Sequence, residues 1–387
     1  MKLLTLFAFL TVCISVSAQR SPYIAKVYDY QPAPGQFINL APEWEDGDTK
    51  EDIIRKVEES LLNDERETVS LGAWGGFIVF GFDHPVVNVA GRNDFRILGN
   101  ALFSDEDSGA EKRAGGSEPG IVYVSHDTNG NGLPDDEWYE LAGSEYGNKG
   151  TIHHYQITYF RPLDNHQPEP DPSDRSILDA KYIRWEDNQT AEGYVTKNTF
   201  HRQSYWPEWV DDKTELTFEG VRLPDNFEKV SENNYLLYSY PWGYADNAPN
   251  DDEASELNIE WAVDKNGTPV SLPEIHFVKV QTALNQTCGW IGESSTEILG
   301  AVDLHPDAET GLNKLLEDAF TFGYDSKSAC LKANIPVSQS GSIYSIFGVK
   351  LKSFSLHPGE NRIFCGDLPR GIYIAKAGRQ TFKFIID

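Results

Sequence analysis

The sequence predicts a mainly all-β fold, a β-sandwich with one N-terminal amphipathic helix and a small C-terminal β-module. Three observations predict it. Short runs rich in Val, Ile, Tyr and Phe recur along the chain, separated by Gly, Asn or Asp. The 32 Gly and 21 Pro of the 387 residues give the turns that such a fold needs. Apolar residues repeat at helical spacing over one long segment near the start. With 40% apolar and 12% aromatic residues, the chain can build one large core or two, and it is too aromatic for a disordered acidic protein. Its 33 Lys+Arg against 60 Asp+Glu give a formal charge of −27. That field repels nucleic acid and anionic membrane surfaces.

Residues 1–18 read as a secretory signal peptide. Lys2 precedes an apolar run, and Val16-Ser17-Ala18 offers a small-residue cleavage site. The run is too short to span a bilayer, and no later stretch approaches the length that spanning needs, so no transmembrane segment is expected. Cys13 as a lipid-anchored residue is the alternative, opposed by Val12 where a small residue belongs. Cleavage removes Lys2, so the balance becomes 32 − 60 = −28. Three cysteines then remain, Cys288, Cys330 and Cys365. An oxidising compartment permits one disulfide, Cys288 with Cys330 being the guessed pair. Three buried free thiols are the alternative.

Residues 19–45 read as extended and Pro-rich. Over residues 48–63, Ile53, Val57 and Leu61 form a stripe that Ile54 and Leu62 widen, which predicts a helix. Asp48 or Thr49 can cap it, and Glu51 and Asp52 suit its first turn. Strands are expected over residues 69–71, 76–82, 94–98, 120–125, 137–142, 151–159, 180–185, 234–240, 257–262, 275–282 and 300–304. No propeller or solenoid period appears. Residues 162–176 and 245–256 are polar loops inserted on the sandwich, and residues 311–320 read as a short helix. The expected domains are 19–305 for the sandwich, 306–328 for a linker and 329–387 for the C-terminal module.

The sharpest motif is residues 127–137. Asp127, Asn129 and Asn131 place oxygens at alternate positions, and Gly132 allows a sharp turn. The Leu133 carbonyl, Asp135 and Glu137 can add further oxygens. Ca²⁺ wants six to eight oxygens from a tightly turned loop, so a structural Ca²⁺ is expected. Trp138 stands where an EF-hand has its bidentate Glu, and the loop resembles those of thrombospondin-type and dockerin-type repeats. The alternative is an Asn-Gly-rich hairpin turn without metal. A second acidic run, from Asp246 and Asn247 to Asn250, Asp251, Asp252 and Glu253, reads as a solvated loop before it reads as another ion site.

Aromatics gather in loops at Tyr205, Trp206 and Trp209, at Tyr240, Trp242 and Tyr244, and at Trp290. Beside them stand His201, Arg202, Gln203, Asp246, Asn247 and Glu293. Rings set among polar side chains make a face for sugars or other flat amphipathic ligands, whereas packing of loops onto the sandwich is the competing use. Tyr205, Trp206, Trp209, Tyr240, Trp242, Tyr244, Asn247 and Trp290 are therefore the candidate ligand residues. Enzymatic signals are weak, and no residue is singled out as catalytic. No nucleophile elbow, His-Glu-x-x-His or phosphate loop occurs. His153 and His154 are expected on opposite faces of a strand. Among Glu260, Asp264, Glu293, Glu297 and Asp303 a glycosidase pair is open, since spacing in space is not readable.

At the C-terminal end, Ile343-Tyr344-Ser345-Ile346-Phe347-Gly348 is followed by Gly359-Glu360-Asn361. Then come Leu368-Pro369-Arg370-Gly371-Ile372-Tyr373 and Thr381-Phe382-Lys383-Phe384. This segment resembles the C-terminal sorting domain of type IX secretion in Bacteroidetes. The resemblance implies export across the outer membrane by that machinery. A second resemblance starts at Ser70-Leu71-Gly72 and Gly75-Gly76-Phe77-Ile78-Val79-Phe80-Gly81, then Glu118-Pro119-Gly120-Ile121-Val122-Tyr123-Val124-Ser125. It extends to Trp242-Gly243-Tyr244, Ile259-Glu260-Trp261 and Ile275-His276-Phe277. Residues 66–305 so resemble the Bacteroidetes "cell surface protein" group, with a galactose-binding-like, jelly-roll sandwich. Thr128 departs from that pattern, which has Gly there. This resemblance implies a surface location, in some members beside an outer-membrane transporter for corrinoids or glycans.

The expected function is a secreted, Ca²⁺-stabilised binding protein displayed at the outer cell surface, taking a glycan or a small nutrient such as a corrinoid. A polysaccharide-degrading hydrolase and a structural or adhesive surface protein are the alternatives.

Overall fold

The computed structural model describes residues 20–104, 113–210, 213–231, 234–310, 320–336, 338–346, 348–377 and 380–386. The signal peptide and residues 311–319 of the helix expected at 311–320 lie outside the described residues. The chain splits into two compact units, one of them Arg20–Ala308 and the other carrying the C-terminal strands. Both are all-β with antiparallel sheets, the main unit adding the predicted helix.

The main unit is built on a six-stranded sheet. Its strand order is Lys26–Gln31, Phe77–Gly81, Phe277–Thr282, Gly120–Ser125, Trp138–Leu141 and Ala262–Val263. Alternation sorts its residues. Val27, Phe80, Val278 and Val124 form one cross-strand row, and Tyr30, Ile78, Val280 and Val122 the next. Both rows are buried in one core with Ile53, Val57 and Leu61 of the helix. The residues between them, Asp29, Val79, Lys279, Tyr123, Glu140 and Val263, form a row on the opposite face. The helix spans Lys50–Leu61, and Thr49 caps it. The Thr49 hydroxyl accepts from Asp52 N at 3.2 Å, and Asp52 Oδ2 accepts from Thr49 N at 3.1 Å, closing a capping box.

A second sheet pairs Glu192–Asn198, Ile177–Asp187, Ile152–Phe160 and Glu215–Arg222 in that order. Tyr155, Ile157, Tyr159, Leu216 and Phe218 pack its inner face onto Trp74, Tyr205 and Trp206.

The C-terminal unit is a small β-sandwich in itself. A three-stranded sheet (Thr321–Asp325, Cys330–Ile335, Gly359–Phe364) and a four-stranded one share a core of Leu331, Ile335, Ile343, Leu356, Tyr373 and Phe384. Its first strand, Thr321–Asp325, falls inside the segment expected as linker. Pairing along its whole length with Cys330–Ile335 makes it part of this unit.

Other expectations are corrected here. The extended region 19–45 contains the strand Lys26–Gln31, held in the main sheet by Phe77–Gly81. Residues 257–262 do not form one strand. The Asn258 side chain accepts from Glu260 N at 2.7 Å and caps a 3-10 turn over Ile259–Trp261, which breaks the run. Cys288, Cys330 and Cys365 are all free. Cys288 is buried in the main unit while Cys330 and Cys365 belong to the other, so the guessed Cys288–Cys330 bond is not formed. His153 and His154 line one cavity together, because the ladder shifts register between Ile152 and Tyr155 and His154 takes φ 55°.

Candidate functional site

Four acids meet beneath an apolar opening of the main unit. Glu118 stands just before the strand Gly120–Ser125. Asp246 lies in the loop after Tyr240. Glu293 and Glu297 bracket the run Ser294-Ser295-Thr296, which the pairing of Glu297 with Ser70 draws alongside the core.

Asp246, Glu118 and Glu293 accept from backbone N–H groups. Asp246 Oδ1 accepts from Asn100 N and Ala101 N at 2.8 and 2.9 Å, and its Oδ2 accepts from Glu297 N at 2.9 Å. This close approach requires Gly99, where a Cβ would stand 2.2 Å from Asp246 Oδ1. Glu118 Oε1 accepts from Ser295 N at 3.1 Å, and Glu293 Oε1 from Gln36 N at 2.6 Å. Glu297 receives a long bond from Asn100 Nδ2 at 3.5 Å. Glu293 Oε2 is buried and has no hydrogen-bond partner.

Burial holds all four well above the ordinary carboxylate range. Burial first, and then the Asp246 charge, push Glu118 up to about 8. Burial raises Asp246 and Glu293 to about 7 each. Glu297 is raised by burial and then by Glu118 and Asp246. Acids that keep protons at neutral pH can donate as well as accept hydrogen bonds.

Glu118, Glu293 and Glu297 line a cavity of about 900 Å³. Its rim is apolar: Phe200, Leu102, Leu40 and Trp290 stand exposed around it. His201 lines it beside Phe37, the two rings 4.5 Å apart. No Lys or Arg is among the described residues of its lining. A concave apolar site of this size with a few convergent polar groups is the usual form of a small-ligand pocket.

The expected ligand residues separate. Trp290, 46% exposed, lies at this cavity, together with His201 and Glu293 from the polar neighbours. Tyr205 and Trp206 do not face solvent. They are 0% and 2% exposed in the core beneath the second sheet, so their reading as a ligand face is corrected. Tyr244 and Asn247 are buried too. The Tyr244 hydroxyl accepts from Glu145 N, and the Asn247 amide bonds both N and O of Tyr240. Trp209 packs on the main core with its ring 6.1 Å from Tyr30. Tyr240 donates its hydroxyl to Pro224 O. Trp242 is exposed at its edge but rests on Trp261, ring centres 4.6 Å apart, away from the acids. The run 246–253 is likewise not a solvated loop throughout, since Asp246 and Asn247 are buried and Asn250 bonds Gly99 N and O. Of the five carboxylates open to a glycosidase role, Glu293 and Glu297 come to the cavity. Asp303 holds His84 at 2.8 Å, Asp264 closes a turn onto Asn266 and Thr268, and Glu260 accepts from Gly91 N. Nothing in the sequence marks Glu118 or Asn100 as a site residue. Each is a single polar residue at a strand end, which carries no periodic signal.

The loop 127–137 is drawn tight on its own oxygens. The Asp127 carboxylate accepts from Gly130 N, Asn131 N and Gly132 N at 2.7 to 3.2 Å. Asn129 Oδ1 accepts from Asn131 N, and Asn131 Oδ1 from Leu133 N. Gly130 and Gly132 take φ 70° and 73°, which a side chain would strain. The Asn129 and Asn131 amides both reach the Asp135 carboxylate, at 3.1 and 2.9 Å. Asp127, Asn129, Asn131 and Asp135 thus share one tight turn whose side-chain oxygens are of the kind a hard cation takes, with the Asn129 and Asn131 amide nitrogens turned to Asp135. Glu137 turns to the Tyr139 hydroxyl instead, and Asp136 closes the loop on Thr128.

Comparison with protein-family models finds none that matches this chain, and no curated protein matches it. No helix among the described residues is long and apolar enough to cross a membrane.

Proposed function

We propose that the protein is a secreted binding protein, displayed at the outer cell surface, that takes a glycan or a small nutrient such as a corrinoid into the cavity rimmed by Trp290. The observation that carries this reading is Glu293: a buried carboxyl with an unpartnered oxygen beneath an aromatic opening. Exposed rings give the flat face of a ligand an apolar seat. Below them, carboxyls that hold protons at neutral pH meet hydroxyl or amide groups as donors and acceptors. Ca²⁺ at Asp127, Asn129, Asn131, the Leu133 carbonyl and Asp135 would cross-link the loop there. Export through the type IX machinery, and delivery to an outer-membrane transporter, rest on the sequence resemblances. The separate folding of the C-terminal unit suits the first.

Titration calorimetry of the full mature chain against a glycan panel and cobalamin tests the reading. Saturable binding of one ligand, lost in Trp290→Ala and Glu293→Gln, is the expected result. No binding of any of them, or binding indifferent to both changes, would refute it.

One observation favours a second reading, a polysaccharide hydrolase. Glu118 and Glu297 line one cavity and burial raises both, and paired carboxyls with displaced pKa values are how acid and base roles are divided. Release of reducing ends from a polysaccharide, abolished by Glu297→Gln, would establish turnover in place of binding alone.

A further inference from the structure

We propose that His126, Glu274 and His276 form a site for a first-row divalent metal ion of the zinc class, separate from the oxygen-lined loop beside it. The strand register builds this site. Ser125 pairs with Phe277, and His276 N donates to Ser125 O at 2.8 Å. The next residues outward, His126 and His276, therefore face one another across the ladder, with ring centres 5.1 Å apart. Glu274 stands two residues before His276, so strand alternation turns it to the same side. Its pairing with Val87 fixes that segment. One donor atom from each of the three side chains lies within 4.8 Å of the other two. All three residues are partly buried, and His126 Nδ1 is enclosed with no hydrogen-bond partner.

The donor set decides the ion. Two imidazole nitrogens and one carboxylate suit Zn²⁺, Co²⁺, Ni²⁺ or Cu²⁺, whereas Ca²⁺ takes oxygen ligands. Three protein donors leave a further coordination position for water or a ligand atom. Loading the site has one visible cost. Asp127 N–H donates to His276 Nδ1 at 3.2 Å. A metal at Nδ1 takes that lone pair, and a metal at Nε2 leaves the ring proton on Nδ1, so either way the bond is given up. It is long, and its loss is small beside three metal–ligand bonds. Since Asp127 also opens the oxygen-lined loop, the metal would sit at the root of that loop and join it to the segment Glu274–Phe277.

The test is a Zn²⁺ titration of the chelator-treated full chain in excess Ca²⁺. One equivalent should bind despite the Ca²⁺. The double variant H126A/H276A should weaken it by more than about 100-fold, since even partners outside the ligand shell are worth 10–100-fold. E274Q should weaken it less. Co²⁺ added to the unaltered chain gives a readout that needs no variant to fold: visible absorption of a nitrogen-ligated ion, bleached by Zn²⁺. Absence of that absorption, failure of Zn²⁺ to bind, or Zn²⁺ affinity unchanged in the double variant with native circular dichroism would overturn the proposal.

Discussion

At the scale of single residues, the buried acids make the clearest demand. Glu118, Glu293 and Asp246 hold protons up to about pH 7 or 8, while the unfolded chain gives them up near 4.5 for Glu and 3.8 for Asp. A raised carboxyl pKa stabilises the folded state fully below the unfolded value. That contribution declines above it and is gone once pH has risen through the folded value. Thermal stability of the main unit should therefore fall from about pH 4.5 to about pH 8, and Glu293→Gln should flatten the fall. A Tm that rises steadily over that interval would contradict the burial of these groups. The two tryptophans nearest this question divide by burial. Trp206→Ala should cost about 3–5 kcal/mol of stability, because it empties a packed core. Trp290→Ala, at an exposed rim, should leave Tm nearly unchanged and remove ligand affinity instead. Sequence could not tell these residues apart. Both are aromatics beside polar neighbours in a loop, and what separates them is the second sheet closing over Tyr205 and Trp206. The same limit hid Glu118, whose meeting with Glu297 spans 179 positions of sequence and leaves no local pattern.

Elements were more legible, because periodicity is a local property. The helix stripe of Ile53, Val57 and Leu61 is buried as the spacing required, and the strand Gly120–Ser125 has the ends that its flanking residues predict. Thr49→Ala removes the hydroxyl half of the capping box, leaves the bond from its backbone N to Asp52, and should cost about 1 kcal/mol, read from denaturant midpoints at unchanged slope. Where a side chain competes with the ladder, the pattern misleads. Asn258 turns a strand-like run into a 3-10 turn, and the bulge at His154 brings two neighbouring histidines to one cavity. The loop 127–137 was visible as oxygens at alternate positions, but the departure of Glu137 toward Tyr139 was not. If Ca²⁺ holds this loop, chelator should lower Tm in the unaltered chain and have little effect in Asp127→Ala, which lacks the central carboxylate. Equal chelator sensitivity in both would place the ion elsewhere.

On the scale of the whole molecule, the formal charge of −27 overstates the field at neutral pH. Some of the 60 acids are interior groups that hold protons: Glu118, as above, and Glu140 on the outer row of the main sheet, which burial raises to about 8. The acidity that argues against nucleic acid partners thus also furnishes the polar floor of a cavity. The two compact units have cores that share no residue, so calorimetry should resolve two unfolding transitions, and the pH dependence of the buried acids should appear in that of the main unit alone. The central claim is that the cavity beneath Trp290 takes a small ligand. Its most direct test is calorimetric titration of the full mature chain with cobalamin and a glycan panel, alongside Glu293→Gln. The account predicts saturable one-to-one binding of one of these ligands, lost in the variant while its fold persists. Binding of equal strength in the folded variant, or no heat with any of them, would contradict it.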